Sequence, residues 1–249
     1  MTGVQTCALP IWIAALVVLA IVSGYIAWYI SFSDQGQWLK AKNGHSEFLL
    51  PDGSHLTLMK GSSAYFDETY GTLNRHLKVY GNAYLDIKKD TSLPFTAECG
   101  QLHLRVTGTT FFVGSGDIHS PAYVILSSGK VTVNPVSEPQ KTIFLFPGQM
   151  AKILDGIPQL DTIPNPNLTA WKTLQFQFDG TPLPEALTFL AEAYNIPIRL
   201  DATFPHDCTI TASFQNQTPD VILKVICSAL GLQMESYKKG FRLYGEACR

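Results

Sequence analysis

A chain of 249 residues with a formal net charge of −2, its acids and bases mixed along the whole length, carries no basic stripe for a phosphate backbone, which excludes nucleic acid as a partner. Its 46 % apolar content is enough for packed cores, and its five cysteines, with no C-x-x-C pair and no zinc spacing to the six histidines, exclude the common metal frameworks.

The first element in the chain is an uncharged run, residues 11–32, free of Asp, Glu, Lys and Arg. As a helix it would be ~33 Å long, enough for a hydrocarbon core of about 30 Å. Trp12 stands at one end and Tyr25, Trp28 and Tyr29 near the other, where amphipathic rings favour the headgroup layer. No basic residue precedes the run and Ala27-Trp28-Tyr29 is a poor cleavage site, so a single uncleaved span is expected over a signal peptide. Lys40 and Lys42 follow it, and charge counting alone would leave the larger part of the chain in the cytoplasm.

A juxtamembrane linker is expected over 33–45, and a strand domain over 46–154. Leu77, Val79, Gly81, Ala83, Leu85 and Ile87 alternate with polar neighbours, as in one strand half buried in a sheet. Residues 55–59, 102–106, 123–126 and 130–133 alternate likewise, and Pro51-Asp52-Gly53-Ser54, Ser127-Ser128-Gly129 and Pro147-Gly148-Gln149 supply turns. No periodic stretch suits a core helix, so an antiparallel β sandwich or roll follows. Residues 155–170, with Pro158, Pro164 and Pro166, read as a linker.

From Trp171 to Arg249 strand and helix alternate, giving a small two-helix α+β domain. Residues 174–178 read as a strand, and Pro184 opens a helix with Leu187, Leu190, Ala191 and Tyr194 on one face. Asn195-Ile196-Pro197 stops it, and strands follow at 198–200 and 209–214. Thr218-Pro219-Asp220 reads as a hydroxyl cap, proline and acid at a helix start, with Ile222, Val225, Ile226, Ala229 and Leu230 as the apolar stripe and Gly231 as the stop. Cys227 on that helix reads as a buried small hydrophobe. Strands at 233–237 and 241–244 end the domain. Aligning Pro184 with Pro219 superposes Leu187 on Ile222 and Leu190 on Val225, which predicts a repeated strand–helix–strand unit with one shared sheet, both helices on one side. The free sheet face and its edges would be left for a partner.

Chemistry is not written into the chain. It has no G-x-S-x-G, P-loop, G-x-G-x-x-G after a strand or H-E-x-x-H, so no enzyme, cofactor or metal site is expected and no catalytic residue is assigned. Gly114-Ser115-Gly116-Asp117 reads as a loop, Asp86 and Asp90 as parts of a solvated turn, and His103 and His119 as ordinary strand histidines. Lys238 and Lys239 read as a soluble hairpin tip, or else as an edge contact for another protein. The spacing leaves a Cys208–Cys248 bridge open. Partner-binding residues are not assigned.

The strand domain resembles the FecR family of transmembrane anti-sigma regulators. The resemblance rests on residues 50–54 (Leu-Pro-Asp-Gly-Ser), 56–58, 61–63, Tyr65, 75–85 from Arg75 to Leu85, 94–96, 108–111, 129–131 and 147–149, in the family's order. Asn82 stands where Glu is usual and Thr107 where Leu is usual. Residues 174–244 look like the module that follows FecR domains in Bacteroidetes-type proteins, similar to the short N-terminal (STN-like) signalling domain of secretins and TonB-dependent receptors. The resemblance implies an inner-membrane protein with its large part in the periplasm. It would sense an outer-membrane TonB-dependent receptor and regulate transcription through an extracytoplasmic-function sigma factor. The family's sigma-binding region has no counterpart in residues 1–10, an uncharged flank expected to be a truncated or foreign start. The alternative is a cell-envelope assembly protein docking to a secretin-like partner.

Overall fold

The computed structural model describes residues 11–31, 36–116, 120–161, 165–201 and 208–245. Helix α1 (Ile11–Ser31) takes up the uncharged run over 21 residues. Its side chains are described without interruption only over residues 15–25, and all of these are exposed. No helix among the described residues is long and apolar enough to cross a membrane. The described residues by themselves therefore do not show the span expected over 11–32.

Residues 37–161 hold β1 (Gln37–Lys40), β2 (Ser46–Leu49), β3 (His55–Leu58), β4 (Ser63–Phe66), β5 (His76–Tyr80), β6 (Asn82–Asp86) and β7 (Phe95–Cys99). After these come β8 (Leu102–Val106), β9 (Thr110–Gly114), β10 (Tyr123–Ser128), β11 (Val131–Pro135), β12 (Ile143–Leu145), β13 (Met150–Leu154) and β14 (Ile157–Asp161). They build two seven-stranded sheets, ordered β1-β4-β5-β7-β8-β11-β12 and β14-β13-β10-β9-β6-β3-β2. Inward residues of both sheets, among them Leu77, Val79, Ala83, Leu85, Leu104, Val124 and Val133, form one core. Pairing is antiparallel, as expected, with one exception: β5 runs parallel to β7, His76 opposite Thr96.

The alternation over residues 76–87 does not belong to one strand. It breaks at Gly81, where φ is +89°, and the chain leaves the first sheet for the second. Alternation survives the break because both strands face the same core from opposite sides. A Cβ at position 81 would lie 2.5 Å from Ser62 Oγ, the hydroxyl that accepts from Asn82 N at 2.8 Å. Gly81 N donates in turn to Ser115 Oγ at 2.8 Å. Gly81→Ala combines a left-handed backbone with that clash, so a loss of about 2 kcal/mol is expected in urea titration; an unchanged midpoint would show that the crossing tolerates a side chain.

Two stretches read as linkers are structured. β1 falls within 33–45, and β14 within 155–170 as an edge strand paired to β13, where Pro158 is tolerated. A 3-10 turn (Pro166–Thr169), begun by Asn165 accepting from Asn167 N, leads into α2 (Ala170–Thr173). Four- and five-residue edge strands have too few residues to show a period.

The C-terminal half comprises β15 (Gln175–Pro182), α3 (Leu183–Tyr194), β16 (Ile198–Leu200), β17 (Thr209–Gln215), α4 (Pro219–Leu230), β18 (Gln233–Tyr237) and β19 (Gly240–Tyr244). The repeated strand–helix–strand unit is present, with helices of 12 residues each. The single shared sheet is not. β15 pairs with β17, whereas β16 and β18 flank β19 in a separate three-stranded sheet, β16 parallel to β19. β19, which lies outside the repeat, takes the edges that the second strands would have offered each other.

Both helices end on left-handed caps, Asn195 at φ 52° and Gly231 at φ 68°. The α4 stripe is rotated from the expected one: Ile222, Leu223, Ile226 and Cys227 are buried and Val225 is 49 % exposed. Thr218 makes no hydroxyl cap to the backbone; its hydroxyl bonds the Asp220 carboxylate instead. Cys99 and Cys227 are free and buried. Cys208 is disulfide-bonded, and Cys7 and Cys248 lie outside the described residues.

Candidate partner-binding surface

The most heavily bonded polar group is Arg75, 2 % exposed, and it serves the fold. Its Nε donates to Asp52 Oδ2 at 2.6 Å, Nη1 to Leu93 O at 3.1 Å, and Nη2 to Lys88 O at 2.9 Å and Ser54 Oγ at 3.2 Å. One guanidinium so ties the β2–β3 turn, the start of β5 and the segment before β7. Burial alone would raise the Asp52 carboxyl; hydrogen bonds from Ser54 and Arg75 and the Arg75 charge outweigh it and hold the group below its ordinary value. With four of its five donors engaged inside the fold, the guanidinium acts as a structural tie.

The other polar residues singled out by sequence are dispersed. Asp86 accepts from Thr110 Oγ1 at 3.0 Å, while Asp90 accepts from Ser92 N at 2.8 Å and Leu93 N at 3.2 Å inside its own turn. His103 approaches Asn134 Oδ1 at 3.4 Å, and His119 lies outside the described residues. Ser115 is a loop residue that bonds Gly81, and Gly116 beside it packs against Ser120, Pro121 and Ala122; Asp117 is not described. Lys238 and Lys239 form the exposed two-residue turn between β18 and β19. Among the described residues no cluster of three His, Cys, Asp or Glu could hold a metal.

The junction of the two halves was not visible in sequence. Trp171, 7 % exposed, stands edge-on to Phe112 of β9 at 6.1 Å and lies 5.3 Å from the His45 ring. His45 Nδ1 accepts from Lys60 N at 3.1 Å, which leaves the proton on Nε2 facing the carbonyls of Glu192 at 3.0 Å and Ala193 at 3.2 Å. The β sandwich therefore adds to the cap at the C-terminus of α3, where Asn195 N already donates to Glu192 O at 3.2 Å. Asn195 Nδ2 adds a bond to Asn43 O at 2.8 Å. Lys172 bonds Glu47 and holds its carboxyl below the ordinary value. Between the halves lies a cleft of about 590 Å³ lined by Asn82, Tyr123, Met150, Trp171, Phe189 and Glu192 among others. The one sequence signal was a bulky aromatic, Trp171, after a polar stretch.

The C-terminal half exposes what is left. Gln175, Gln177 and Asp179 of β15 and Thr209, Thr211 and Ser213 of β17 turn outward, opposite a buried face of Phe176, Phe178 and Ile210. On the three-stranded sheet Arg199 lies opposite Arg242 and Arg242 opposite Glu235, with the two guanidinium groups 5.4 Å from the Tyr237 ring and 6.0 Å from the Tyr244 ring. Arg242 bonds Asp201 at 2.9 Å. Among the described residues the outer edge of β18 is unpaired. Open strand edges and a polar sheet face suit the addition of another protein's backbone.

Comparison with known proteins gives two family matches, to FecR protein over residues 38–134 and to FecR, C-terminal over residues 175–242. Together they take in well over half of the chain. Crystal structures of a candidate anti-sigma factor from Parabacteroides distasonis ATCC 8503, at 2.50 and 1.65 Å, share the fold. Each superposes with a TM-score of 0.62 at 23 % identity, over 84 % of this chain and 98 % of that one. No curated protein matches.

Proposed function

We propose, on the premise that this chain belongs to the FecR family of anti-sigma regulators, that it is the signal-receiving part of such a regulator. In this reading it relays the state of an outer-membrane TonB-dependent receptor to an extracytoplasmic-function sigma factor. The relay is a protein contact without a chemical step. The observation that carries it is the C-terminal half: a small α+β unit with open strand edges, held at a fixed junction to a rigid sandwich. Helix α1 is the single membrane span of this reading, supported by its uncharged 21 residues and by the exposure of its described side chains, which want an apolar surrounding. The Cys208 disulfide suits an oxidising compartment, the periplasm, for the rest.

The test is capture of the receptor's N-terminal signalling domain by the full chain and by a chain ending at Thr173. Cutting after Thr173 leaves both Trp171 and its partner Phe112 in the shortened chain. The shortened chain is expected to lose capture while retaining its β circular-dichroism signal. Undiminished capture would refute the assignment of the receiving surface to the C-terminal half.

A further inference from the structure

The end of the sandwich at which β1 begins, the next strand after α1, carries an unusual set of exposed side chains. Residues 32–36 alone separate α1 from β1, a tether that reaches ~17 Å at most. Gly36 lies directly against the Tyr65 ring, so a side chain there would collide with it. Beside that point Trp38, 51 % exposed, packs on Tyr65 at 5.2 Å and on Tyr80 at 5.6 Å, with Lys40 Nζ 5.3 Å from its ring.

Strand pairing places three more features at the same end. Gln37 lies opposite Phe66, where β4 runs out into the loop 67–74. That loop holds Leu73, 76 % exposed, more than any other large apolar side chain described. Arg75 fastens its far side to Asp52 and Lys88, which brings exposed Lys88 and Lys89 to the same end. The carboxylates nearby are engaged in their own loops: Asp67 accepts from Thr69 N at 2.8 Å and Asn74 Nδ2 at 3.1 Å, and Asp90 from Ser92 and Leu93. Glu68 remains exposed.

We propose that this end of the sandwich rests on the lipid headgroup layer, with Leu73 dipping below it, Trp38 at its level and Lys88 and Lys89 facing lipid phosphates. The proposal depends on the reading of α1 as a membrane span, and it adds a second, peripheral contact to that span. An exposed leucine on a loop tip, a half-exposed indole and flanking lysines are the chemistry of a membrane interface. Five residues between α1 and β1 keep that end close to the plane at which α1 would leave the bilayer. The contact would fix the orientation of the sandwich on the bilayer, and with it the height at which the C-terminal half is presented.

The experiment uses the full chain in phosphatidylethanolamine–phosphatidylglycerol vesicles with lipids brominated high on the acyl chain. Trp12→Phe and Trp28→Phe leave Trp38 as the reporter and Trp171, sheltered in the junction, as the internal standard. Part of the emission should be lost to bromine. That loss should disappear with Trp38→Phe, and Leu73→Glu, at an exposed loop tip that folding does not need, should restore emission. A chain that floats with the vesicles but shows no bromine-dependent loss overturns this contact and leaves the anchor standing. Quenching of Trp38 that Leu73→Glu does not change overturns the end-on arrangement. A chain that fails to float removes the anchor and this contact together.

Discussion

Asp52→Ala is expected to lower the stability of the sandwich by about 3–5 kcal/mol, because it strands the Arg75 guanidinium in the interior without its counter-ion. The pair is almost wholly shielded, at 2 % and 6 % side-chain exposure, so solvent screening offers little relief. Arginine cannot lose its proton to escape the penalty. Replacing both residues, Asp52→Leu with Arg75→Met, should recover a large part of the loss, since an ion pair exchanged for packed apolar groups is often neutral. Guanidinium titrations of the two single variants and the double variant give the coupling directly. Additive losses would mean that the two side chains do not depend on each other. The same pair sets an acid limit. The Asp52 carboxyl is held below its unfolded value, so its contribution is full above about pH 4 and disappears as pH falls through the depressed folded value. Asp52→Asn should flatten that acid limb.

Trp171→Ala is expected to undock the two halves. Truncating a buried tryptophan costs about 3–5 kcal/mol, and here the loss falls on the contacts with Phe112 and His45 that join sandwich to α+β unit. Calorimetry should show the single transition of the native chain split into two, with the sandwich transition close to its original temperature. Lys172→Ala should do far less, since the Lys172–Glu47 pair sits in solvent with Glu47 74 % exposed. One undivided transition in Trp171→Ala would show that the halves are held by something other than this side chain.

How much of this was legible depends on where each residue's constraint comes from. The strand 102–106 was read to the residue, because alternate leucines and valine facing one core leave a two-residue period. α3 and α4 are legible from proline at the start, and from Pro197 after the one and Gly231 after the other at the end, all local signals. The break at Gly81 was hidden because alternation continues through it; only the position of Ser62 in space distinguishes a crossing from a continuous strand. The α4 stripe was misplaced by Val225, since a four-residue turn leaves two adjacent faces nearly equal until a neighbour selects one. The separate three-stranded sheet depends on β19 inserting between β16 and β18, a pairing decided by tertiary competition. The junction around Trp171 and His45 joins residues far apart in sequence, and no spacing rule reaches that far. Arg75 and Asp52 stand out in sequence as motif residues, without their partnership being evident.

The order in which the chain visits the two sheets has a consequence for control by cleavage. Strands are dealt alternately, β1 to one sheet, β2 and β3 to the other, β4 and β5 back again, and so on to β14. No contiguous segment contains a whole sheet without strands of the other, so no fragment of residues 37–161 can keep one layer while discarding the other. A protease that cuts inside the sandwich and separates its pieces destroys it as a unit, and such a cut can act only as an irreversible off-switch, never as a trimming step that leaves a smaller working receiver.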